Sequence, residues 1–265
     1  MLAIERQQLI LQILNDKGNV STNELSIALS VSPVTVRKDL TKLSNDGLIK
    51  KTHGGATVLI HTPAKAPTNL WQSDFNFKTR ELTNKDEKEI ISEEALSLIQ
   101  DNQCILLDGS STALALAKKL SRFSKLLVIT NGIYTMLALK DNPAINIIMI
   151  GGMVTKNSGS VEGLLGADLL NHIHIDTAFV SARGFSLNEG FTDFNVYEVE
   201  LKKAMLKKCN KVIALLDSSK FEHVSTSSFM AAADADLLLT DDKISKECLQ
   251  NYKAHNIPIK VCSHL

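Results

Sequence analysis

Two sets of residues in this sequence have the types and spacing that do chemistry. The first is a series of polar or glycine-rich segments, each following an apolar run. Asp108-Gly109-Ser110-Ser111-Thr112 stands directly before an Ala- and Leu-rich stretch. Gly109 permits close backbone approach, three hydroxyls can donate hydrogen bonds, and a helix starting there presents unpaired N–H groups, so the segment reads as a phosphate cradle. It lacks the Lys and the spacing of a nucleotide P-loop and is not Gly-x-Gly-x-x-Gly, which disfavours a nucleotide. Thr130-Asn131, Gly151-Gly152, Arg183-Gly184, Glu189-Gly190-Phe191-Thr192 and Asp217-Ser218-Ser219-Lys220 extend the series. Together they favour a small, polyhydroxylated, anionic ligand: Arg183 and Lys220 would meet negative charge, while Asp108, Asn131 and Asp217 would take hydroxyls. Asp217-Ser218-Ser219 also reads as a plain helix cap. Glu200, Lys202 and Lys203 share a helical stretch where charge usually marks a solvated face; Glu200 and Lys202 are added to the candidate site. His172 and His174 alternate on a possible strand, but without a third ligand they argue for no metal. No Ser-His-Asp or Cys-His arrangement can be argued from spacing, and no cofactor is implied.

The second set is basic. From Ser32 to Lys42, Ser32 is a good N-cap and Pro33 suits the first helical position. Val36, Leu40 and Leu43 recur at i, i+4, i+7 as one apolar stripe, leaving Val34, Lys38, Thr41 and Lys42 opposite, with Thr35 and Arg37 flanking. Base edges and phosphates offer mainly acceptors, so basic and hydroxyl groups on the first turns suit a helix lying in the DNA major groove, and Val34 can meet a thymine methyl. Thr35, Arg37 and Lys38 are the expected base readers; Lys42, with Lys50, Lys51 and His53, would contact phosphate. An ordinary amphipathic surface helix has the same pattern, so its neighbours must decide.

Those neighbours form a DNA-binding layout. Residues 5–15 read as a helix stopped by Gly18, and Ser21 and Glu24 stand at capping-box spacing before a second short helix carrying Leu25, Ala28 and Leu29. A three-residue turn separates it from the basic helix, which is helix-turn-helix spacing. Two β-type runs around Gly54-Gly55 then suggest a hairpin wing. His61 to Asn76 has no clear period and reads as a linker, within which Trp71 and Phe75 either dock it or cover the edge of the second core. The expected domains are 1–60, a winged helix-turn-helix; 61–76, the linker; and 77–265, an α/β sensor. A helix begins near Glu87. Apolar runs at 104–107, 126–129, 145–150, 177–180, 212–216, 236–239 and 257–261 then alternate with helical stretches such as 113–120 and 197–209. That pattern predicts a mainly parallel sheet with helices on both faces, whose ligands bind at the strands' C-terminal ends.

Equal numbers of basic and acidic side chains, 29 each, rule out a general polycation, so nucleic-acid contact must come from a local patch. Residues 61–265 carry 22 basic and 24 acidic side chains, which concentrates the positive charge in the N-terminal part. The four cysteines are widely spaced and read as reduced thiols of a cytoplasmic protein, and no leader or membrane span is expected.

The residues resemble the DeoR family of bacterial transcriptional regulators. The likeness runs through Glu5-Arg6, Ile10-Leu11, Val31-Ser32, Thr35 to Leu40, Leu43, Gly47-Leu48-Ile49 and His53 to Ala56, then Phe77, Arg80, Asn84, Glu87-Lys88 and Asp217 to Phe221. It implies a winged helix-turn-helix joined to a sensor similar to ribose-5-phosphate isomerase, double-stranded operator DNA as partner, and a phosphorylated sugar-like effector. It also implies a homo-oligomer, dimer or tetramer, usually a repressor of carbohydrate-use genes and not an enzyme. The competing reading is a sugar-phosphate isomerase or deaminase with a DNA-binding head, using Asp108, Glu200 or Lys220 for acid-base work. The chain departs from the family in two places: the first loop usually reads Asp-Ser-Gly-Thr-Thr, and a small residue usually stands where Arg183 does. Arg183 is expected to meet a second anionic group on the effector.

Overall fold

The computed structural model describes residues 6–7, 9–11, 13–14, 18–45, 49–52, 54–57, 77–155 and 158–263. The linker, with Trp71 and Phe75, lies outside the described residues, as does His53. The chain divides into two compact units, Met1–Thr79 and Arg80–Leu265.

In the first unit, β1 (Asn19–Ser21) runs into α1 (Thr22–Leu29), and α2 (Pro33–Asn45) precedes β2 (Lys50–Thr52) and β3 (Gly55–Thr57). Ser21 caps α1 with Glu24 in a reciprocal capping box, as their spacing predicts. Ser30, left-handed at φ 52°, ends the helix and turns the chain into α2. The strand β1 was not expected from the sequence: it pairs antiparallel with β3, giving the order β1-β3-β2. Gly55 makes this possible, because a Cβ there would lie 2.2 Å from the Val20 carbonyl oxygen. Ile10, Leu14, Leu25, Val36, Leu40, Leu43 and Ala56 form the core, so the Val36-Leu40-Leu43 stripe of α2 packs inward.

The second unit starts with the end of α3 (Phe77–Leu82) and with α4 (Lys85–Leu96). Its main sheet has the order β13-β12-β10-β7-β4-β5-β6. The strands are β4 (Cys104–Leu107), β5 (Leu126–Thr130), β6 (Ile145–Met149), β7 (Ile175–Val180), β10 (Cys209–Leu215), β12 (Leu237–Asp241) and β13 (Ile259–Cys262). Every pairing is parallel. The seven apolar runs read from the sequence are these seven strands, buried between helices α4, α5 (Ser111–Ala117), α6 (Ile133–Leu139), α7 (Val196–Leu206) and α8 (Lys246–Ala254). Winding proceeds outward in one direction from β4 and in the other from β7, so these adjacent strands form the topological switch point, the position at which ligands of such sheets generally bind.

Three expectations need correction. Arg183-Gly184 and Glu189 to Thr192 are not simple parallel-strand ends: β8 (Gly184–Ser186), β9 (Gly190–Asp193) and β11 (Ser227–Met230) form a separate antiparallel sheet. Its Phe185, Phe191 and Phe229 are buried, which explains why runs of only three or four residues hold as strands. His172 ends a 3-10 turn (Ala167–His172) and His174 precedes β7, so the two do not alternate on a strand. Helix α7 stops at Leu206, and Cys209 opens β10 instead of ending the helix.

Candidate effector site and DNA-binding face

On α2, Ser32 Oγ accepts the Thr35 N–H at 3.2 Å and lies 2.9 Å from the Thr35 hydroxyl, so both candidates serve the start of the helix. Val34 is 58% exposed, and Arg37, Lys38 and Lys42 are exposed, as are Lys50 and Lys51 on β2. Among the described residues, the side chains of Arg37, Lys38, Lys42 and Lys50 make no hydrogen bond. Thr41 is committed: its hydroxyl donates to the Arg37 carbonyl at 2.7 Å and accepts from Lys51 Nζ at 2.8 Å. Asp39, buried in the middle of this basic helix, is bound by Arg6 at 2.5 Å and by Gln7 at 3.0 Å. Burial opposes its charge, but those hydrogen bonds outweigh burial and hold its pKa below the ordinary value. Its negative charge is thereby neutralised inside the fold, leaving a cationic outer face.

In the second unit, Asp108 follows β4 at the switch point and is fully buried. One carboxylate oxygen accepts Ser110 N–H at 3.1 Å, and the other accepts Ser181 N–H, at the end of β7, at 3.0 Å. Lys202 reaches it from α7. Its Nζ donates to the Ser181 carbonyl at 3.0 Å and to Asp193 at 2.8 Å, and lies 3.2 Å from Asp108 and 4.0 Å from Glu198. Lys202 is 2% exposed, so the solvated face expected of α7 holds for Glu200 and Lys203, which pair with each other at the surface, and fails for Lys202. The structure does not bring Glu200 to this cluster.

Burial works against the charge on Lys202, yet Asp193, Asp108 and Glu198 hold its pKa well above normal. Asp193 is held low because Lys202 and Arg183 outweigh its burial. Glu198 is pushed up to about 7 by burial and by the neighbouring Asp193. Arg183 stands 3.9 Å from Asp193 and stacks 4.7 Å above Phe194.

The first loop is covered by the segment that follows β6. Gly132 and Ser160 form a β-bridge, as do Met153 and Glu162. A Cβ on Gly109 would lie 2.4 Å from that of Ser160, so the glycine permits this strap to close on the loop. A Cβ on Gly152 would meet the Glu162 carbonyl at 2.5 Å, and one on Gly166 would meet the Gly151 carbonyl at 2.4 Å. Asn131 donates to the Val161 carbonyl at 3.0 Å; its own Oδ1 and the Oε2 of Glu162 are buried without a hydrogen-bond partner. Ser110 Oγ caps α5 and Thr130 Oγ1 accepts Gly132 N–H, whereas the hydroxyls of Ser111 and Thr112 make no hydrogen bond among the described residues. Thr192 is used within the small sheet, donating to Gly184, and Gly190 turns into β9 at φ 65°.

The last loop gathers its own partners. Asp217, 1% exposed, accepts from Ser219, from Asn84 at 2.8 Å, and faces Lys220 at 4.0 Å. Despite burial, Lys220 and these donors hold its pKa low. Asn84, left-handed at φ 51°, also donates to Ser219. Lys88 donates to the carbonyls of Arg80 and Thr83, and burial lowers its pKa to about 8. Asn84, Ser181, Asp193, Glu198 and Ser160 were not singled out as site residues from spacing. The only signal for any of them was the Asn84 to Lys88 match to the family pattern. No cluster of three or more His, Cys, Asp or Glu placed to hold a metal, and no helix long and apolar enough to cross a membrane, occurs among the described residues.

Comparison with known proteins places these two assemblies in context. Residues 6–62 match the DeoR-like helix-turn-helix domain, and residues 83–242 match the DeoR C terminal sensor domain. The chain is 47% identical to the HTH-type transcriptional regulator GolR of Listeria innocua, over 98% of this chain and 99% of the relative. It is 31% identical to the L-fucose operon activator of Haemophilus influenzae, over 93% and 96%. It is 26% identical to the glycerol-3-phosphate regulon repressor of Escherichia coli, over 99% and 100%. A solved ribose 5-phosphate isomerase A from Methanocaldococcus jannaschii aligns with 52% of this chain and 55% of its own at 18% identity and a TM-score of 0.40, a likeness too partial to argue from.

Proposed function

This chain belongs to the DeoR family of helix-turn-helix transcriptional regulators, and on that premise we propose that it is a cytoplasmic repressor of carbohydrate-use genes whose grip on operator DNA is controlled by a small phosphorylated, hydroxyl-rich metabolite. The observation that carries the reading is the combination, in one chain, of an exposed cationic helix face with strand-end loops holding free hydroxyls and Lys220. Arg37 and Lys38 read bases, and Lys42 and Lys50 contact phosphate. A symmetric homo-oligomer, dimer or tetramer, sets two such helices on paired half-sites.

In the sensor, Ser111, Thr112 and Lys220 supply donors to the anionic group, and the unpartnered Asn131 Oδ1 accepts from a ligand hydroxyl. Arg183, engaged by Asp193 and Phe194, is a positioning group that turns toward a second anion only by giving up those partners. A coupling of about 1–3 kcal/mol between the sites changes DNA occupancy about 5- to 150-fold. Two measurements test the reading. Retention on random duplex DNA must weaken steeply with salt. A thermal-shift panel of sugar, polyol and sugar-acid phosphates must contain a stabiliser whose effect Lys220→Ala abolishes. Salt-independent DNA binding, or a stabiliser indifferent to Lys220→Ala, refutes it.

A further inference from the structure

Lys50 and Lys51 are adjacent cations on the wing, and strand geometry separates their roles. Directly opposed residues of a β-ladder share a face, and successive residues alternate. Lys51 is opposite Ala56, which is 2% exposed and part of the hydrophobic core, whereas Lys50 is opposite Thr57. Lys51 therefore leaves the strand on the side that packs against α2. From there its ammonium donates to Thr41 Oγ1 at 2.8 Å, and Thr41 donates in turn to the Arg37 carbonyl at 2.7 Å, one helical turn back. A polar relay thus joins β2 to the helix that carries Arg37, Lys38 and Lys42.

We propose that Lys51 is a positioning residue of the DNA-binding unit: it fixes the wing against the recognition helix through Thr41 and does not itself serve as a phosphate contact. This rests on the DNA-binding reading above. Lys50, on the opposite face and without a hydrogen-bond partner among the described residues, is the phosphate contact of the pair. Thr41, which faces solvent on α2, commits its one hydroxyl proton to the Arg37 carbonyl and a lone pair to Lys51, so the relay assigns it to the wing and leaves it no proton to donate to a base edge.

The test is the salt dependence of affinity for random-sequence duplex DNA, followed by fluorescence anisotropy of the full chain. A lost phosphate contact lowers the log–log salt slope by about 1, whereas a lost internal hydrogen bond weakens binding without changing the number of ions released. Lys50→Met is expected to lower the slope by about 1. Lys51→Met is expected to keep the wild-type slope and weaken binding about two- to tenfold, the usual range for one hydrogen bond. Thr41→Val is expected to match it, the double variant to be no weaker than either single one, and Lys51→Arg, which can still donate to Thr41, to retain most of the affinity. A slope lowered by Lys51→Met as much as by Lys50→Met, or additive losses in the double variant, would overturn the assignment. Wild-type binding without salt dependence would instead refute the DNA-binding reading, and this inference with it.

Discussion

Glu198→Gln gives the sharpest test of the buried charge cluster. Glu198 shares one lysine with two nearer carboxylates: Lys202 Nζ is 2.8 Å from Asp193 and 3.2 Å from Asp108 but 4.0 Å from Glu198. Burial and the Asp193 charge therefore raise Glu198 from 4.5 to about 7. Between those values the folded chain holds a proton that the unfolded chain has released, so stability falls as pH rises through the window. At about 1.4 kcal/mol per unit, the cost at neutral pH is about 3 kcal/mol. The depressed carboxylates Asp39, Asp193 and Asp217 act on stability only at lower pH, where protonation removes what they contribute. Lys88, lowered to about 8, acts only above that value, where loss of its buried charge raises stability. Among these displaced groups, Glu198 is the one whose effect falls mainly between about pH 5 and about pH 7.5. Urea unfolding followed by circular dichroism should show wild type losing about 2–4 kcal/mol across it, and Glu198→Gln, whose amide carries no charge to desolvate, losing little. A variant with the wild-type pH slope would refute the argument; a variant destabilised equally at both ends would make Glu198 an ordinary structural acceptor.

Lys202→Met leaves Asp108 and Asp193 buried without their cation and should cost about 3–5 kcal/mol near neutral pH, read from the same urea curves. Gly109→Ala forces a Cβ against Ser160 and should lower the melting temperature by an amount equivalent to about 1–3 kcal/mol, while also abolishing stabilisation by any sugar phosphate that stabilises wild type. Asn84→Gly keeps the left-handed backbone but removes two hydrogen bonds to the Asp217 loop, one of them to a carboxylate, and should cost about 1.5–3 kcal/mol in thermal unfolding. An unchanged melting temperature would show that Asn84 does not hold that loop.

The architecture was largely legible because it rests on local signals of high information. Seven short apolar runs can satisfy both faces only in a covered parallel sheet, and each is a strand of that sheet. The capping box at Ser21 and the stripe Val36-Leu40-Leu43 likewise act within one or two helical turns. What lay beyond local signals was β1, whose three residues need Gly55 on a distant strand, and the small sheet around Phe185 and Phe191, whose stability comes from aromatic burial more than from strand length.

The site divides in the same way. The sequence by itself determined which loops carry hydroxyl, carboxylate and lysine groups, because strand ends must be polar where apolar runs stop. Only the tertiary structure decided which of those groups are free. Spacing along α7 makes Glu200, Lys202 and Lys203 equivalent surface charges, yet the packing of that helix turns Lys202 toward Asp108 and Asp193 and leaves its neighbours in water. Charge partners contributed by separate strands have no periodic signature, and a lysine's burial depends on whether such partners arrive.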